Sequence, residues 1–359
     1  LARKVELKRR QILAEIKSLG LNICEQIDGG RFPLIEIPSR SSANIVYDET
    51  LRQYVLGPKR IKRYSKNIRH VKKFSQLVWL AYFIRQLMLS NKSSTLRDVY
   101  YSAEAYGIFF KSQQESNEII ADMEALLDTA REEFHIFPEE RSAIFGELLV
   151  EYTCPGYEGR RVWLDSHPSG IMIGPSLVSA EFVECKAERV IVIESGGMFD
   201  RFIEEQVHKR YKAILIHTGG QAPRSTRWLI RRLNKELGLP VYIFTDGDPW
   251  GMHIAMVIIS GSAHAAHIKD LATPDAKWIG VWPDDIIKYK LPTDKMNDQD
   301  IKRLKELEKD VRYQNKFWQS KVKLFLKLRK KAEQQAFSRY GLTYVVDNYL
   351  PDKLSEIEG

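Results

Sequence analysis

The chain has 359 residues, 44% hydrophobic and 28% charged, which excludes wholesale disorder and suggests two or three domains. No run of 18 apolar residues occurs, so no membrane-spanning helix is expected, and three scattered cysteines (Cys24, Cys154, Cys185) without a CxxC pair argue against a zinc site or a disulfide framework. A formal charge of +8 fits a polyanionic partner, the cysteine usage points to a reducing cytoplasm, and a start at Leu1 rather than Met suggests trimming or a leader.

Residues 1–20 read as a basic amphipathic helix with Val5, Ile12, Leu13, Ile16 and Leu19 near one face. Residues 24–54 alternate short apolar runs with Gly29-Gly30, Pro33 and Pro38, which predicts extended segments and turns. Residues 1–66 therefore read as an arm whose thin apolar content supports no core of its own. Residues 67–150 read as helical: one helix over 71–90, one over 96–111 and one over 117–133. Thr95 is a natural N-cap for the second, with Asp98 three residues on as an imperfect capping box. A short hairpin pairing 134–137 with 146–153 would complete a winged helix-turn-helix.

Residues 151–187, punctuated by Pro155-Gly156, Gly159, Pro168, Gly170 and Gly174-Pro175, read as a connecting segment with short strands over 161–164 and 170–173. From 188 to 359 strand and helix alternate. Residues 190–193, 213–216 and 241–244 are continuous apolar runs of the kind a buried parallel strand requires, and 277–282 is a fourth candidate. Helices are expected over 198–211 and 225–237, and charged helices over 297–340. The fold class is α/β with a mainly parallel sheet, preceded by an arm and an α+β winged-helix domain.

Charge is unevenly spread. Residues 51–94 hold eleven Lys and Arg and no acid. Lys59, Arg60, Lys62, Arg63, Lys66, Arg69, Lys72 and Lys73, interleaved with Tyr64 and Phe74, form a candidate phosphate-backbone footprint; the alternative is a solvated basic face. Residues 115–140 hold nine acids, so a helix there should turn Ile119, Ile120, Met123, Leu126 and Leu127 inward and its acids to solvent or a partner.

Each buried strand ends in a polar or Gly-rich turn: Glu194-Ser195-Gly196-Gly197, His217-Thr218-Gly219-Gly220 and Thr245-Asp246-Gly247-Asp248-Pro249. Ligands bind at the carboxyl edge of open parallel sheets, which puts Glu194 and Asp246 in one crevice if their strands are neighbours, with Asp248 facing the same site. Three hard oxygen donors without His or Cys favour Mg²⁺. The competing reading is that Glu194 and Asp246 cap the helices that follow. Arg97 and Tyr101 share a helix face, and a phenol is a suitable nucleophile when a phosphodiester bond must be stored and later resealed, although adjacent tyrosines such as Tyr100-Tyr101 more often serve packing.

The runs Val190-Ile191-Val192-Ile193-Glu194-Ser195-Gly196-Gly197 and Thr245-Asp246-Gly247-Asp248-Pro249-Trp250-Gly251 resemble the Toprim motif of topoisomerases, primases and some nucleases. With Thr95-Leu96-Arg97-Asp98-Val99-Tyr100-Tyr101 ahead of them, the chain resembles the cleaving subunits of type IIB topoisomerases, which comprise the archaeal topoisomerase VI A subunit together with its meiotic relative. The likeness extends to Pro38-Ser39-Arg40, Asn44, Tyr47-Asp48-Glu49 and Thr218-Gly219-Gly220-Gln221-Ala222-Pro223, and favours the archaeal protein. It implies that Tyr101 attacks double-stranded DNA to give a 5′-phosphotyrosyl link. Arg97 would support the charge, Glu194, Asp246 and Asp248 would hold Mg²⁺, and Glu194 would shuttle a proton. It further implies a homodimer whose sites combine the tyrosine of one protomer with the metal site of the other, and an ATP-binding B subunit giving an A2B2 assembly. The sequence carries no P-loop, in keeping with ATP bound elsewhere. Helix 1–20 and the arm are candidates for the B-subunit contact, packing on their own chain being the alternative. The competing functions are a stand-alone meiotic-type transesterase, a Toprim nuclease using water, and a non-catalytic winged-helix DNA binder.

Overall fold

The computed structural model describes residues 2–139, 141–154, 156–269 and 271–358; Leu1, Glu140, Pro155, Asp270, Gly359 and the side chains of residues 2–6, Val5 among them, lie outside the described residues. Helix α1 (Ala2–Asp28) continues past residue 20, so Cys24 is helical rather than extended. Leu19 and Ile23 carry its apolar stripe onward, and the turn at Gly30 (φ 67°) ends it, a backbone conformation that glycine adopts without steric cost. Ile12 and Ile16 are buried, and Arg9 donates to the Met88 carbonyl at 2.8 Å, so the helix packs on its own chain.

Strand β1 (Leu34–Pro38) pairs antiparallel with β4 (Arg60–Tyr64), and the hairpin β2 (Ile45–Asp48) and β3 (Gln53–Leu56) lies between them in sequence. There follow α2 (Ile68–Ser90), β5 (Ser94–Thr95), α3 (Leu96–Glu104), α4 (Gln113–Leu127) and β6 (Ile136–Phe137). Ile12 and Ile16 of α1, Ile35 and Ile37 of β1, Leu77 and Leu80 of α2, Val99 of α3 and Ile119, Ile120 and Met123 of α4 form one buried cluster. Residues 1–66 are therefore not a coreless extension: each of those buried aliphatic side chains adds about 1.5–3 kcal/mol to a core shared with the helices.

Two further expectations need correction. Helix α3 stops at Glu104 rather than at 111, because the Gly107 turn (φ 67°) lets the Ile108 amide return to the Ala103 carbonyl. The expected hairpin does not form. Ile136–Phe137 pairs in parallel with Ser94–Thr95, while residues 143–145 leave for the next sheet. Helix α4 begins at a Ser112 cap and ends at Asp128 in the left-handed region, and residues 131–134 form a separate 3-10 turn. It buries Ile119, Ile120, Met123 and Leu127 as its pattern demands.

Of the acids of α4, Glu118 is exposed, but Asp122 and Glu124 are buried and Glu115 is half-buried. Asp122 receives Arg40 at 2.9 Å and Arg63 at 3.2 Å, and Glu115 receives Lys72 at 2.9 Å. Glu124, fully buried, lies 2.6 Å from Arg224, 3.2 Å from Arg131 and 3.1 Å from His267. Burial alone would raise its carboxyl, yet Arg224, Arg131 and His267 together hold it below the ordinary carboxylate range.

The rest of the chain is built on a six-stranded sheet. Its members are β7 (Ala143–Phe145), β10 (Ile171–Met172), β12 (Arg189–Ile193), β13 (Ala213–His217), β14 (Val241–Phe244) and β15 (Lys277–Gly280), in the order β10-β7-β13-β12-β14-β15. The last four strands are parallel, as their apolar runs predict; β7 and β10 are antiparallel additions at one edge. The connecting segment supplies a separate three-stranded sheet of β8 (Leu148–Glu151), β9 (Arg161–Trp163) and β11 (Glu181–Cys185), and the short helix α5 (Pro175–Val178). The crossovers use α6 (Gly196–Glu204), α7 (Val207–Arg210), α8 (Arg224–Leu237) and α9 (Pro249–Ser260). Gln206, at φ 53°, divides the single helix expected over 198–211.

Glu124 sits on α4, Arg224 opens α8, and His267 lies in the loop after α9, so one carboxylate joins the two halves of the chain. The β2–β3 hairpin makes a second join: Gln53 donates to the Lys269 carbonyl at 2.9 Å, and the Ser260 hydroxyl donates to the Arg52 carbonyl at 2.6 Å. Removing one partner of a buried ion cluster strands the others, at a cost of about 3–5 kcal/mol. Glu124→Ala should therefore lower the urea midpoint of unfolding far more than Glu118→Ala on the same helix; equal midpoints would contradict the join.

Candidate active site

Strands β12 and β14 are neighbours, with Ile193 opposite Phe244, so Glu194 and Asp246 emerge side by side at the carboxyl edge. The Asp246 amide donates to a Glu194 carboxylate oxygen at 3.0 Å. Burial pushes Glu194 up to about 8, with the negative charges of Asp246 and Asp248 adding to it. Burial likewise lifts Asp246 to about 6, with help from Asp248 and Glu333, and raises Asp248. Asp248 is also the N-cap of α9: one of its oxygens accepts from the Trp250 amide at 2.9 Å and the Gly251 amide at 2.7 Å. Asp248, rather than Glu194 or Asp246, is thus the residue that caps the helix following β14, and the other two remain as an acid pair. Gly251 is required by space, because a Cβ there would fall 2.2 Å from the Asp246 carbonyl oxygen. Among the described residues, no group of three or more His, Cys, Asp or Glu side chains is gathered closely enough to enclose a metal ion.

The stretch 297–340, expected to be helical, leaves the helix after Leu328 and crosses this edge in extended form. After α10 (Pro283–Lys288), α11 (Asp298–Lys309) and α12 (Lys316–Leu328), residues 330–335 run back over the strand ends. Gly247 and Ala332 exchange backbone hydrogen bonds at 2.8 and 3.1 Å. The Gln334 amide donates to Asp246 at 2.9 Å; its side-chain oxygen accepts from the Ser195 amide at 3.0 Å, and its side-chain nitrogen donates to the Phe244 carbonyl at 2.9 Å. Gln334 is fully buried. Lys331 pairs with Asp300 at 2.9 Å, and its positive charge also acts on Asp248. Nothing in a Lys-, Gln- and Glu-rich run announces this role; it arises from tertiary return of the chain.

At the other candidate centre, Thr95 and Asp98 form a complete capping box, which fixes the first turn of α3. Val99 and Ala103 are buried on one face, while Tyr101 on the other is 57% exposed. Tyr100 packs against the core, 6.3 Å from the Phe110 ring, and Tyr101 rests edge-on against it at 5.1 Å. The packing role therefore falls to Tyr100 and leaves the Tyr101 phenol presented. Tyr101 and Arg97 line a groove of about 740 Å³ together with Gln113, Asn117, Arg131 and Arg141, closed by Pro223 and Arg224 at the start of α8. Arg97 is exposed, 3.8 Å from Glu139. Arg141 donates to the Gln221 carbonyl at 2.6 Å, tying the groove to the Gly219-Gly220-Gln221 turn. Arg131, Arg141 and Arg224 were not singled out from sequence, since isolated arginines carry no motif. The groove does not include Glu194, Asp246 or Asp248.

The basic stretch divides in two. Arg63 and Lys72 are engaged by Asp122 and Glu115, and Arg60 lies 3.6 Å from Glu36, so distant acids supply what the local sequence lacks. Lys59, Lys62, Lys66 and Arg69 are exposed. Lys66 stands over the Phe32 ring, and Lys73 is partly covered. No helix among the described residues is long and apolar enough to cross a membrane.

Two family descriptions match the chain: the Toprim domain of the topoisomerase 6 A subunit/Spo11 family over residues 189–354, and type IIB DNA topoisomerase over residues 72–136. Among curated proteins, the type 2 DNA topoisomerase 6 A subunit of Methanothermobacter thermautotrophicus is 47% identical over 355 residues, covering 98% of this chain and 99% of that protein. The protein of the same name from Archaeoglobus fulgidus is 41% identical over 356 residues, with 98% and 99% covered, and that of Haloarcula marismortui is 39% identical over 349 residues, with 96% and 95% covered. With such identity across nearly the whole length, and both motifs standing on the elements described, the chain belongs to the family of topoisomerase 6 A subunits, within the type IIB DNA topoisomerases.

Proposed function

We propose that this chain is the DNA-cleaving and rejoining subunit of an ATP-dependent type IIB topoisomerase, acting on the chromosome in the cytoplasm. The observation that carries the reading is Tyr101, held on a capped helix turn with its phenol presented beside Arg97 while Tyr100 takes the packing role. The phenolic oxygen attacks a DNA phosphorus, its proton passes to a nearby acceptor, and the 3′ oxygen departs carrying a proton. The 5′ phosphate stays on Tyr101. Reversal reseals the strand, because a phosphotyrosine is close in energy to the diester it replaces. Arg97 supports charge on the phosphate oxygens.

Toprim domains bind a divalent metal, and the residues here fit Mg²⁺. Glu194 and Asp246 are half-buried and adjacent, each raised by desolvation and by neighbouring acids, and a cation relieves that field. Few protein donors converge, in keeping with an ion that keeps waters and meets phosphate oxygens through one or two carboxylates. Glu194 and Asp246 would hold it, with Asp248 adding negative charge from its capping position. When bound, it would stabilise charge on the phosphate oxygens. Glu194 is also the candidate proton carrier.

The Tyr101 groove of one protomer excludes its own acid edge, which supports a homodimer in which each site is completed across the two copies. We assign residues 1–66 to the arm, 67–150 to the tyrosine domain, 151–187 to the connection and 188–359 to the Toprim domain with its closing helices. The three-helix unit α2–α4 would be the helix-turn-helix part of the tyrosine domain. The duplex would run along Lys59, Lys62, Lys66 and Arg69. An ATP-binding B subunit would complete an A2B2 assembly; because α1 spends its apolar face on its own chain, that contact would use another part of the surface.

Incubation with supercoiled DNA, Mg²⁺, ATP and the B subunit, quenched in detergent, should give a protein-linked 5′ end that Tyr101→Phe abolishes. Cleavage surviving Tyr101→Phe would establish water as the nucleophile, and cleavage without B subunit or ATP would mark a stand-alone transesterase. Replacing Lys62, Lys66 and Arg69 together by Gln should flatten the plot of log affinity against log salt by about 0.9 for each phosphate no longer neutralised. An unchanged slope would move the duplex elsewhere. The raised carboxyl of Glu194 gives a third expectation. Its value of about 8 in the fold lies above the ordinary 4.5, so its contribution to stability is complete below 4.5 and is lost as pH rises through 8. In EDTA, Glu194→Gln should therefore unfold at a higher temperature than wild type at alkaline pH and at a similar one in acid. Added Mg²⁺ should raise the wild-type temperature and leave the variant's nearly unchanged. Identical curves would remove Glu194 from the ion site.

A further inference from the structure

We propose that Gln334 is a positioning residue for the acid pair, fixing the separation of Glu194 and Asp246 and thereby the affinity of the edge for Mg²⁺. This rests on the metal reading of that edge and names the group that holds it in shape. The two carboxylates stand on separate loops, one after β12 and one after β14. Strand pairing fixes Ile193 against Phe244, and the Glu194 amide still reaches the Phe244 carbonyl at 3.1 Å. Beyond that point the ladder ends, and apart from the Asp246 amide's bond to Glu194 the two loops are left to separate.

Gln334 opposes this with three hydrogen bonds. Its amide holds Asp246 directly at 2.9 Å, its side-chain oxygen holds the amide of Ser195, next to Glu194, at 3.0 Å, and its side-chain nitrogen holds the Phe244 carbonyl at 2.9 Å. One fully buried side chain thus bridges both loops while its own backbone orients one carboxylate. Only an amide does this, since one contact needs an acceptor and the other a donor. Its neighbours reinforce the bridge: Gly247 and Ala332 exchange backbone bonds, and Gln335 hydrogen-bonds the Ser195 hydroxyl. Groups that orient metal-binding side chains from behind typically change affinity by about 10–100-fold when altered.

The test uses the full chain and two substitutions. Gln334→Glu keeps shape and acceptor but sets an oxygen against the Phe244 carbonyl; Gln334→Met keeps volume and loses both contacts. Mg²⁺ alone is titrated, read as the rise in unfolding temperature, with Gln335→Ala as the comparison. DNA affinity without metal is measured in parallel. The expected result is that at least one Gln334 variant remains folded, binds DNA as wild type does, and needs at least tenfold more Mg²⁺ for the same rise. Gln335→Ala should shift the midpoint less. A folded Gln334 variant with a wild-type midpoint overturns the proposal, as does failure of both variants to fold, which would make the residue simply structural. Wild type that shows no Mg²⁺-dependent rise overturns it together with the metal assignment. Absence of a DNA adduct despite a normal Mg²⁺ rise would count against the strand-cleaving function alone.

Discussion

A single carboxylate with no exposure to water, Glu124, organises this molecule. It is a liability on its own, since an ionised group in a dry interior is costly, and the chain offsets that cost with Arg131 from the following turn, Arg224 from the start of α8 and His267 from the loop after α9. Because two of those partners come from the second half of the chain, satisfying the charge and joining the halves are the same event. The groove beside Tyr101 is a by-product of that joining, as Arg131 and Arg224 line it with their exposed portions.

The acid edge reverses this logic. Glu194 and Asp246 are half-buried without a cationic partner among the described ion pairs, and their protons are held as a result. At Glu124 the fold neutralises; at the sheet edge it withholds neutralisation and lets the Gln334 crossing keep the geometry. One chain thus holds a buried acid with its cations and a half-buried acid pair without them. The same contrast separates Tyr100, which is packed, from Tyr101, which is not.

Much of this was legible in the chain. Apolar β-branched runs announced the parallel strands, and the turns that follow them put Glu194 and Asp246 at one edge. Thr95 and Asp98 announced the start of α3. What escaped depended on distance along the chain. The basic stretch looked unopposed because Glu36, Asp122 and Glu115 lie outside it. Residues 134–137 and 146–153 looked like a hairpin because strand propensity carries no partner; Ile136–Phe137 found Ser94–Thr95, and Leu148–Glu151 joined β9 and β11. Gln334 was invisible because its meaning lies in two strand ends elsewhere. Asp248 showed both signals at once, an acid in the motif and a cap for α9, and local hydrogen bonding claimed one of its oxygens.

The β2–β3 hairpin carries a mechanical implication. With Arg52 and Gln53 bonded beyond α9, Tyr54 bonded to Asp310 and Arg312 stacked over the Tyr54 ring, the N-terminal residues straddle the seam that Glu124 also bridges. A body riveted at two separate points resists hinging within itself. The tyrosine-bearing and acid-bearing halves of one chain are thereby coupled to move as a single block.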